Sequence, residues 1–316
     1  MAKVLLARRF PDSIIARAER LFDVTLHDSP DPLDQSAREA ALSEYDGIMA
    51  TLGDTFPASA FPAARTKIIA NFGVGYNHID AAAAAQAGVM VTNTPGVLTD
   101  ATADIAMTLM LMAARRAGEG ERMLRAGNWQ GWHPTQLMGE DVTGRTLGII
   151  GFGRIGQAMA RKAHYGFGMR IVFHNRSPKT ADFPAEQLGS IEEVCATADV
   201  VAIHAPGGNR HLIDAKALAA MKPTGILINT ARGDVVDEAA LIDALEQRRI
   251  FAAGLDVYDQ EPHVPARLMA LENAVLLPHL GSASLLVREA MGNMALDNLD
   301  AFFAGRPVPN PTPEMP

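Results

Sequence analysis

Short apolar runs alternate along this chain with longer segments whose apolar positions recur every three or four residues. In the first third, Val4 to Ala7, Val24 to Leu26, Gly47 to Ala50, Ile68 to Ala70 and Val89 to Val91 are brief runs, while Ser13 to Phe22, Gln35 to Tyr45 and Ile79 to Ala87 carry helical spacing. Apolar runs this short, punctuated by Gly, Pro and Asp, predict strands buried on both faces, and their alternation with helices predicts a parallel sheet flanked by helices. A long helix is predicted from Thr99 and Asp100, good N-cap residues, with Ile105, Leu109 and Met112 on one face. After a polar loop over Asn128 to Thr143 the alternation resumes, with strands at Leu147 to Ile150, Ile171 to Phe173, Val200 to Ile203, Ile226 to Ile228, Ala253 to Val257 and Val275 to Leu277. Six strands with intervening helices match a dinucleotide-binding fold.

The final helix, Leu285 to Phe303, follows the sixth strand and has no further strand to cover in that sheet. The chain is therefore expected to cross back, giving one domain from 1–98 with 286–316 and a second from 99–285. Two domains are also the default at 316 residues. The fold class expected is α/β, two doubly wound parallel-sheet domains, with a Rossmann domain inserted in a smaller flavodoxin-like one. Only the Pro-rich segment Pro307 to Pro316 reads as an unstructured tail.

Composition narrows the partner. A net charge of -8 leaves no basic excess to neutralise phosphates, which argues against general affinity for nucleic acid or anionic membrane and points to a small molecule. The single cysteine, Cys195 in a predicted helix over Ile191 to Ala198, excludes an intramolecular disulfide and reads as a small buried hydrophobe. The amino-terminal run Val4 to Ala7 is too short for a signal-peptide core, and Ile105 to Ala114 too short to span a bilayer, so a soluble cytoplasmic protein is expected. No Cys pair and no helically spaced His pair backed by carboxylates indicates a metal site.

The run Leu147 to Ile150 leads straight into Gly151-Phe152-Gly153-Arg154-Ile155-Gly156, and Gln157 to Lys162 continues as a helix. Strand, G-x-G-x-x-G and helix in that order form the dinucleotide fingerprint. The first glycine allows the tight turn, the second lets backbone approach a pyrophosphate, and the third lets helix pack on strand. The next strand, Met169 to His174, ends in Asn175-Arg176-Ser177, without the carboxylate that would hold both ribose hydroxyls and repel a 2′-phosphate. Arg176 and the Ser177 hydroxyl suit that phosphate, so NADP(H) is the preferred cofactor and NAD(H) the alternative.

Three late apolar runs each lead to one charged residue: Ile226 to Ile228 to Arg232, Leu255 to Tyr258 to Glu261, and Val275 to Leu277 to His279. Parallel sheets bind ligands at the carboxyl ends of their strands, so a cation, a carboxylate and an imidazole are expected to converge there. Arg232 would clamp a carboxylate and polarise the adjacent carbonyl, His279 would give and recover a proton, and Glu261 would fix the imidazole tautomer. Spacing alone leaves alternatives open: Arg232 and Glu261 paired with each other, or His263, nearer in sequence, as the partner of Glu261.

With these motifs assembled, the chain resembles the D-isomer-specific 2-hydroxyacid dehydrogenase family over nearly its whole length. The resemblance rests on Asn71 to Asp80, Gly151 to Gly156, Asn229-Thr230-Ala231-Arg232-Gly233, Gly254 to Val257 with Glu261-Pro262, and Pro278-His279-Leu280-Gly281-Ser282, in the family's order. It implies Arg232 as substrate clamp, His279 as acid and base, and Glu261 as its partner. It further implies that backbone amides of Val74 and Gly75 hold the substrate carboxylate, that Asp256 bonds the nicotinamide carboxamide, and that Thr102, Thr230, Ala231 and Gly281 line the cofactor. A cleft between two domains, with the last helix returning to the first, and a homodimer paired through the nucleotide domain are implied too. Trp132 is then either a size gate reaching the neighbouring subunit or interface packing.

The Val74-Gly75-Tyr76-Asn77 loop and the Asn175-Arg176-Ser177 ending are most similar to the glyoxylate and hydroxypyruvate reductase branch, and no room for a long regulatory domain is left after Ala304. The activity expected is NAD(P)H-dependent reduction of a small 2-keto acid to the D-2-hydroxy acid. Two alternatives are a nucleotide-sensing interaction protein of the corepressor type, against which the joint presence of Arg232, Glu261 and His279 argues, and a related dehydrogenase with an inorganic or one-carbon donor.

Overall fold

The computed structural model describes Met1 to Met315, and within it the chain forms two compact units: Met1–Leu98 with Ala283–Pro316, and Thr99–Ser282. In the first unit the chain runs through β1 (Lys3–Leu6), α1 (Asp12–Leu21), β2 (Asp23–Leu26), α2 (Gln35–Glu44), β3 (Gly47–Ala50), β4 (Ile68–Asn71), α3 (Ala81–Gln86) and β5 (Met90–Thr92). All pairings are parallel, in the order β2-β1-β3-β4-β5, which is the flavodoxin-like winding. β3 and β4 are buried along their whole length, which is why the sequence shows them as unbroken apolar runs.

The second unit contains α4 (Thr99–Ala114), α5 (Ala117–Arg125), β6 (Thr146–Ile150), α6 (Arg154–Phe167), β7 (Arg170–His174), β8 (Ala185–Gln187), α7 (Ile191–Thr197), β9 (Val200–Ile203), α8 (Ala215–Ala220), β10 (Ile226–Asn229), α9 (Glu238–Glu246), β11 (Ala252–Leu255), α10 (Ala266–Met269) and β12 (Ala274–Leu276). Its strands pair in the order β12-β11-β10-β9-β6-β7-β8, so the winding direction reverses between β6 and β9. Ligands bind such sheets at the carboxyl ends of the two strands flanking the reversal. Alternate residues of each strand enter different cores: Val200 and Ala202 of β9 pack in one, Val201 and Ile203 in the other.

α11 (Leu285–Phe303) belongs to the first unit, where Gly292 lets it approach α1 so closely that a Cβ would lie 2.6 Å from the Ile14 side chain. Arg17 of α1 bonds the Asn293 carbonyl at 3.1 Å and Asp297 at 2.5 Å across that contact. No helix among the described residues is long and apolar enough to cross a membrane.

Several expectations need correction. The second sheet has seven strands, because the short polar segment β8 pairs with β7 through Ile171↔Ala185 and Phe173↔Gln187. The predicted helix over Ile79 to Ala87 is shorter, since Asp80 caps it by accepting from the Ala83 amide. On α4 the deepest stripe is Ala103, Ala106, Leu109, Met110 and Ala113, while Ile105 and Met112 are only partly buried. That stripe of small side chains admits close packing: a Cβ on Gly254 of β11 would lie 2.8 Å from Leu109. The Pro-rich carboxyl terminus is tied down, with the Thr312 amide donating to Val91 and Met315 packed against the first core; Pro316, the last residue of the expected tail, lies outside the described residues.

Candidate active site

β6 ends at Ile150, and Gly151 turns the chain with φ of 92°. A Cβ there would sit 2.7 Å from the Ala205 amide nitrogen, so any side chain would meet both a strained backbone and a clash. Gly153 is the N-cap of α6, makes no side-chain cap bond, and has nothing within 4 Å of where its Cβ would be. The first turn of a 14-residue helix thus faces open space with no side-chain acceptor, the arrangement that receives a pyrophosphate. Buried polar atoms near this end are also left without partners: Thr230 Oγ1 after β10 and Nδ1 of His204 after β9. Burial pushes His204 down to about 4, so it is neutral at physiological pH.

At the end of β7 the Asn175 side chain joins two loops. Its Oδ1 accepts from the Phe152 amide at 3.1 Å, and its Nδ2 donates to the Ser177 carbonyl at 2.9 Å and hydroxyl at 3.2 Å. Arg176 and Ser177 are exposed, and the Arg176 guanidinium has no hydrogen bond or ion pair among the described residues.

The three charged residues expected after β10, β11 and β12 all lie beyond the carboxyl ends of adjacent strands. His279 Nδ1 bonds Glu261 Oε2 at 2.8 Å, with 30% and 29% of the two side chains exposed. The other Glu261 oxygen accepts from the Tyr258 amide at 3.0 Å. Burial pushes the Glu261 carboxyl up, but the bond from His279, the charge of His279, the Tyr258 amide and the charge of Arg232 together outweigh it and hold the carboxyl below its ordinary range. No hydrogen bond or ion pair joins Glu261 to His263 or to Arg232 among the described residues. Arg232 is partly buried, donates Nη1 to the Ala231 carbonyl at 2.7 Å, and is lowered by burial against the attraction of Glu261 and Asp234.

Backbone constraints hold these groups in place. His279 has φ of 55°, an uncommon left-handed conformation for a residue with a side chain, and its amide donates to the Asp256 carbonyl. Asp256 is buried, and its two oxygens accept from the Leu280 amide at 2.6 Å and the Gly281 amide at 2.8 Å. Thr102 of α4 donates to the Gly281 carbonyl at 3.0 Å. Gly233 follows Arg232 at a point where a Cβ would lie 1.9 Å from the Tyr258 carbonyl carbon, so only glycine lets the loops after β10 and β11 touch.

In the first unit, the loop after β4 is braced by two asparagines. Asn71 donates to the carbonyls of Gly73 and Gly75, each at 3.0 Å, and Asn93 donates to Val74 at 2.8 Å. The amides of Val74 and Gly75 have no partner among the described residues. A pair of adjacent free N–H groups on a braced loop can receive a carboxylate.

Comparison with known proteins decides the lineage. Residues 107–281 match the model for the D-isomer specific 2-hydroxyacid dehydrogenase, NAD binding domain. The chain belongs to the D-isomer-specific 2-hydroxyacid dehydrogenase family. Among its fellow members, a glyoxylate reductase from Thermococcus onnurineus (strain NA1) is 41% identical, covering 97% of this chain and 94% of that protein. A glyoxylate reductase from Korarchaeum cryptofilum (strain OPF8) is 42% identical, covering 98% of this chain and 95% of that protein. The crystal structure of an NADPH-dependent glyoxylate/hydroxypyruvate reductase from Sinorhizobium meliloti, in complex with NADP and malonate, superposes with a TM-score of 0.89 at 35% identity, covering 100% of this chain and 98% of that chain. The family fold is a Rossmann domain with a substrate domain, and a nicotinamide dinucleotide is its cofactor. The open cradle at Gly153, the uncapped first turn of α6 and the unpartnered Thr230 hydroxyl fit such a group in this dehydrogenase.

Some residues that shape the site had no role assigned to them from the sequence. Asn229, at the end of β10, donates to the Arg232 carbonyl at 2.9 Å and accepts from the Ala231 amide at 3.0 Å, which fixes the turn carrying the clamp. The Tyr258 hydroxyl donates to the Leu277 carbonyl at 2.9 Å, tying the Glu261 loop to the His279 strand. An Asn after a strand reads as a terminator, and the Tyr as core, so neither carried a signal of its own.

Proposed function

We propose that this dehydrogenase reduces glyoxylate or hydroxypyruvate to the D-2-hydroxy acid, glycolate or D-glycerate, with NADPH preferred over NADH. When bound, the nicotinamide supplies the hydride. Arg232 binds the substrate carboxylate and polarises the neighbouring carbonyl, assisted by the amides of Val74 and Gly75. His279, protonated and oriented through Nδ1 by Glu261, presents Nε2 and gives its proton to the carbonyl oxygen. Asp256 bonds the nicotinamide carboxamide while its oxygens also hold the Leu280 and Gly281 amides of the loop that carries His279, and Thr102, Thr230 and Ala231 line the cofactor. The observation that carries the reading is the 2.8 Å bond from His279 to Glu261 beside the partly buried Arg232, on three adjacent strand ends.

The NADPH preference rests on the Asn175-Arg176-Ser177 turn, which offers a free guanidinium and no carboxylate. Relatives named glyoxylate reductase and a neighbour described as NADPH-dependent support the same choice of substrate and cofactor. We further assign a soluble cytoplasmic homodimer joined through the nucleotide-binding domain. Leu124 near the end of α5, and Trp129, Trp132 and Met138 between α5 and β6, are large apolar side chains exposed by 52–78%. Trp132, the most exposed of them at 78%, is assigned to the neighbouring subunit's substrate opening.

The test is a panel of 2-keto acids assayed with both cofactors for the wild type and His279→Gln. Turnover of glyoxylate and hydroxypyruvate with NADPH is expected, lost in the variant while NADPH binding persists. Retained turnover in His279→Gln removes the acid role. A chain that fails to oxidise NADPH with any small keto acid is a nucleotide-sensing protein instead.

A further inference from the structure

The turn that carries Arg176 and Ser177 is held from behind by a residue that nothing in the nucleotide fingerprint singles out. Gln187 ends β8, paired with Phe173 of β7. Its Nε2 donates to the Asn175 carbonyl at 3.0 Å and to the Ser177 carbonyl at 3.4 Å, and its Oε1 accepts from the Lys179 amide at 3.1 Å. One side chain therefore engages three backbone groups on both sides of Arg176. From the other side, Asn175 Nδ2 donates to the Ser177 hydroxyl oxygen. That oxygen has taken its bond as an acceptor, so the Ser177 O–H is left to donate outward. Arg176 and Lys179 are both exposed, and neither has a side-chain partner among the described residues.

We propose that Gln187 is the positioning residue for cofactor selectivity: clamping Asn175, Ser177 and Lys179 presents one hydroxyl donor and two cations to the 2′-phosphate of NADPH. This rests on the NADP(H) reading above. Gln187 does not touch the cofactor in this role. It lowers the disorder of a turn that must otherwise be ordered when the phosphate arrives, so its effect falls on phosphorylated ribose and not on the pyrophosphate or nicotinamide. The polar, exposed β8 owes its place in the sheet to backbone pairing with β7, and delivering Gln187 beneath this turn gives that strand a function.

The experiment is calorimetric titration of the full chain with NADPH, NADH and adenosine 2′,5′-bisphosphate, for the wild type, Arg176→Ala and Gln187→Leu. Gln187→Leu is expected to weaken NADPH and the bisphosphate by about tenfold, because the released turn must then be ordered when the phosphate binds. NADH affinity should stay within about twofold, and kcat at saturating NADPH should not change, since the effect is confined to binding. Parallel weakening of NADPH and NADH means general damage to the domain and overturns the role. A wild type that favours NADPH, with a Gln187→Leu variant that keeps the same NADPH to NADH ratio, overturns it while leaving the cofactor reading intact. A wild type that shows no NADPH preference and does not bind the bisphosphate overturns the cofactor reading and this role together, and Arg176→Ala would then change nothing.

Discussion

Replacing Glu261 by Gln removes one negative charge from the candidate proton donor with almost no change in shape. The oxygen lost lies 2.8 Å from His279 Nδ1. An ion pair at that separation is worth about 1.5 kcal/mol in bulk water and about 6 kcal/mol at an effective dielectric of 20. With 30% and 29% of the two side chains exposed, water screens the pair and the lower figure governs. About 1.4 kcal/mol corresponds to a factor of ten. Reduction uses a proton from His279, and the Glu261 carboxylate, held below its ordinary range, stays charged and favours the imidazolium, so losing the anion should lower kcat by about tenfold. There is a second effect, because both Glu261 oxygens accept, from His279 and from the Tyr258 amide. The new amide nitrogen must face one of these donors, so kcat should drop several-fold further. Initial rates of NADPH oxidation by glyoxylate at saturating substrate read the combined loss. A kcat within about twofold of the wild type refutes the electrostatic role of Glu261.

Four further outcomes follow from the same geometry. Gly153→Ala meets nothing within 4 Å and sits at an ordinary φ of -84°, so the melting temperature should hold while dinucleotide affinity falls about tenfold or more, read by thermal scanning and calorimetry side by side. Arg232→Lys should raise KM for glyoxylate by about tenfold or more and lower kcat, because a point charge replaces a bidentate fork; unchanged kinetics would remove the clamp. Asp256→Asn leaves one of the Leu280 and Gly281 amides facing an NH2 group, at a cost of about 1–3 kcal/mol, so both the melting temperature and kcat should fall. Cys195, buried and pushed up to about 12, should resist thiol reagents at pH 8 in the native protein and react fully once unfolded.

The parts of the fold that could be read from the sequence share one physical property. β9 and β10 are buried on both faces, so each residue had to be apolar and the run appeared unbroken. β8 runs Ala-Glu-Gln at the exposed edge of its sheet and is defined by backbone pairing with β7, which leaves no mark on composition. The break between α4 and α5 was hidden for a related reason. Arg116 adopts φ of 50° there, and its guanidinium pairs with Glu119, so neither a glycine nor a proline announces the turn.

The site divides along the same line. Arg232, Glu261 and His279 were legible as positions, because strand ends are where parallel sheets present chemistry, but their partnership was not. Glu261 had His263 two residues away and His279 eighteen away, and sequence distance favoured the wrong one. What selects His279 is the adjacency of β11 and β12, whose parallel ends bring the two loops together, and the positive φ of His279, which Asp256 enforces from beneath. The imidazole of His263 makes no bond to Glu261, and its backbone amide donates to the Gln260 carbonyl in the turn. The general point concerns where specificity is stored. Charged groups that react can be found by type and position, whereas the residues that aim them, Asn229, Asp256, Tyr258 and Gln187, act through backbone carbonyls and amides. Apart from Asp256, which the family resemblance singles out for another contact, such residues are recognised only when the partner strand is known, so a screen of variants at these braces probes the catalytic geometry more finely than further substitutions of the reacting groups.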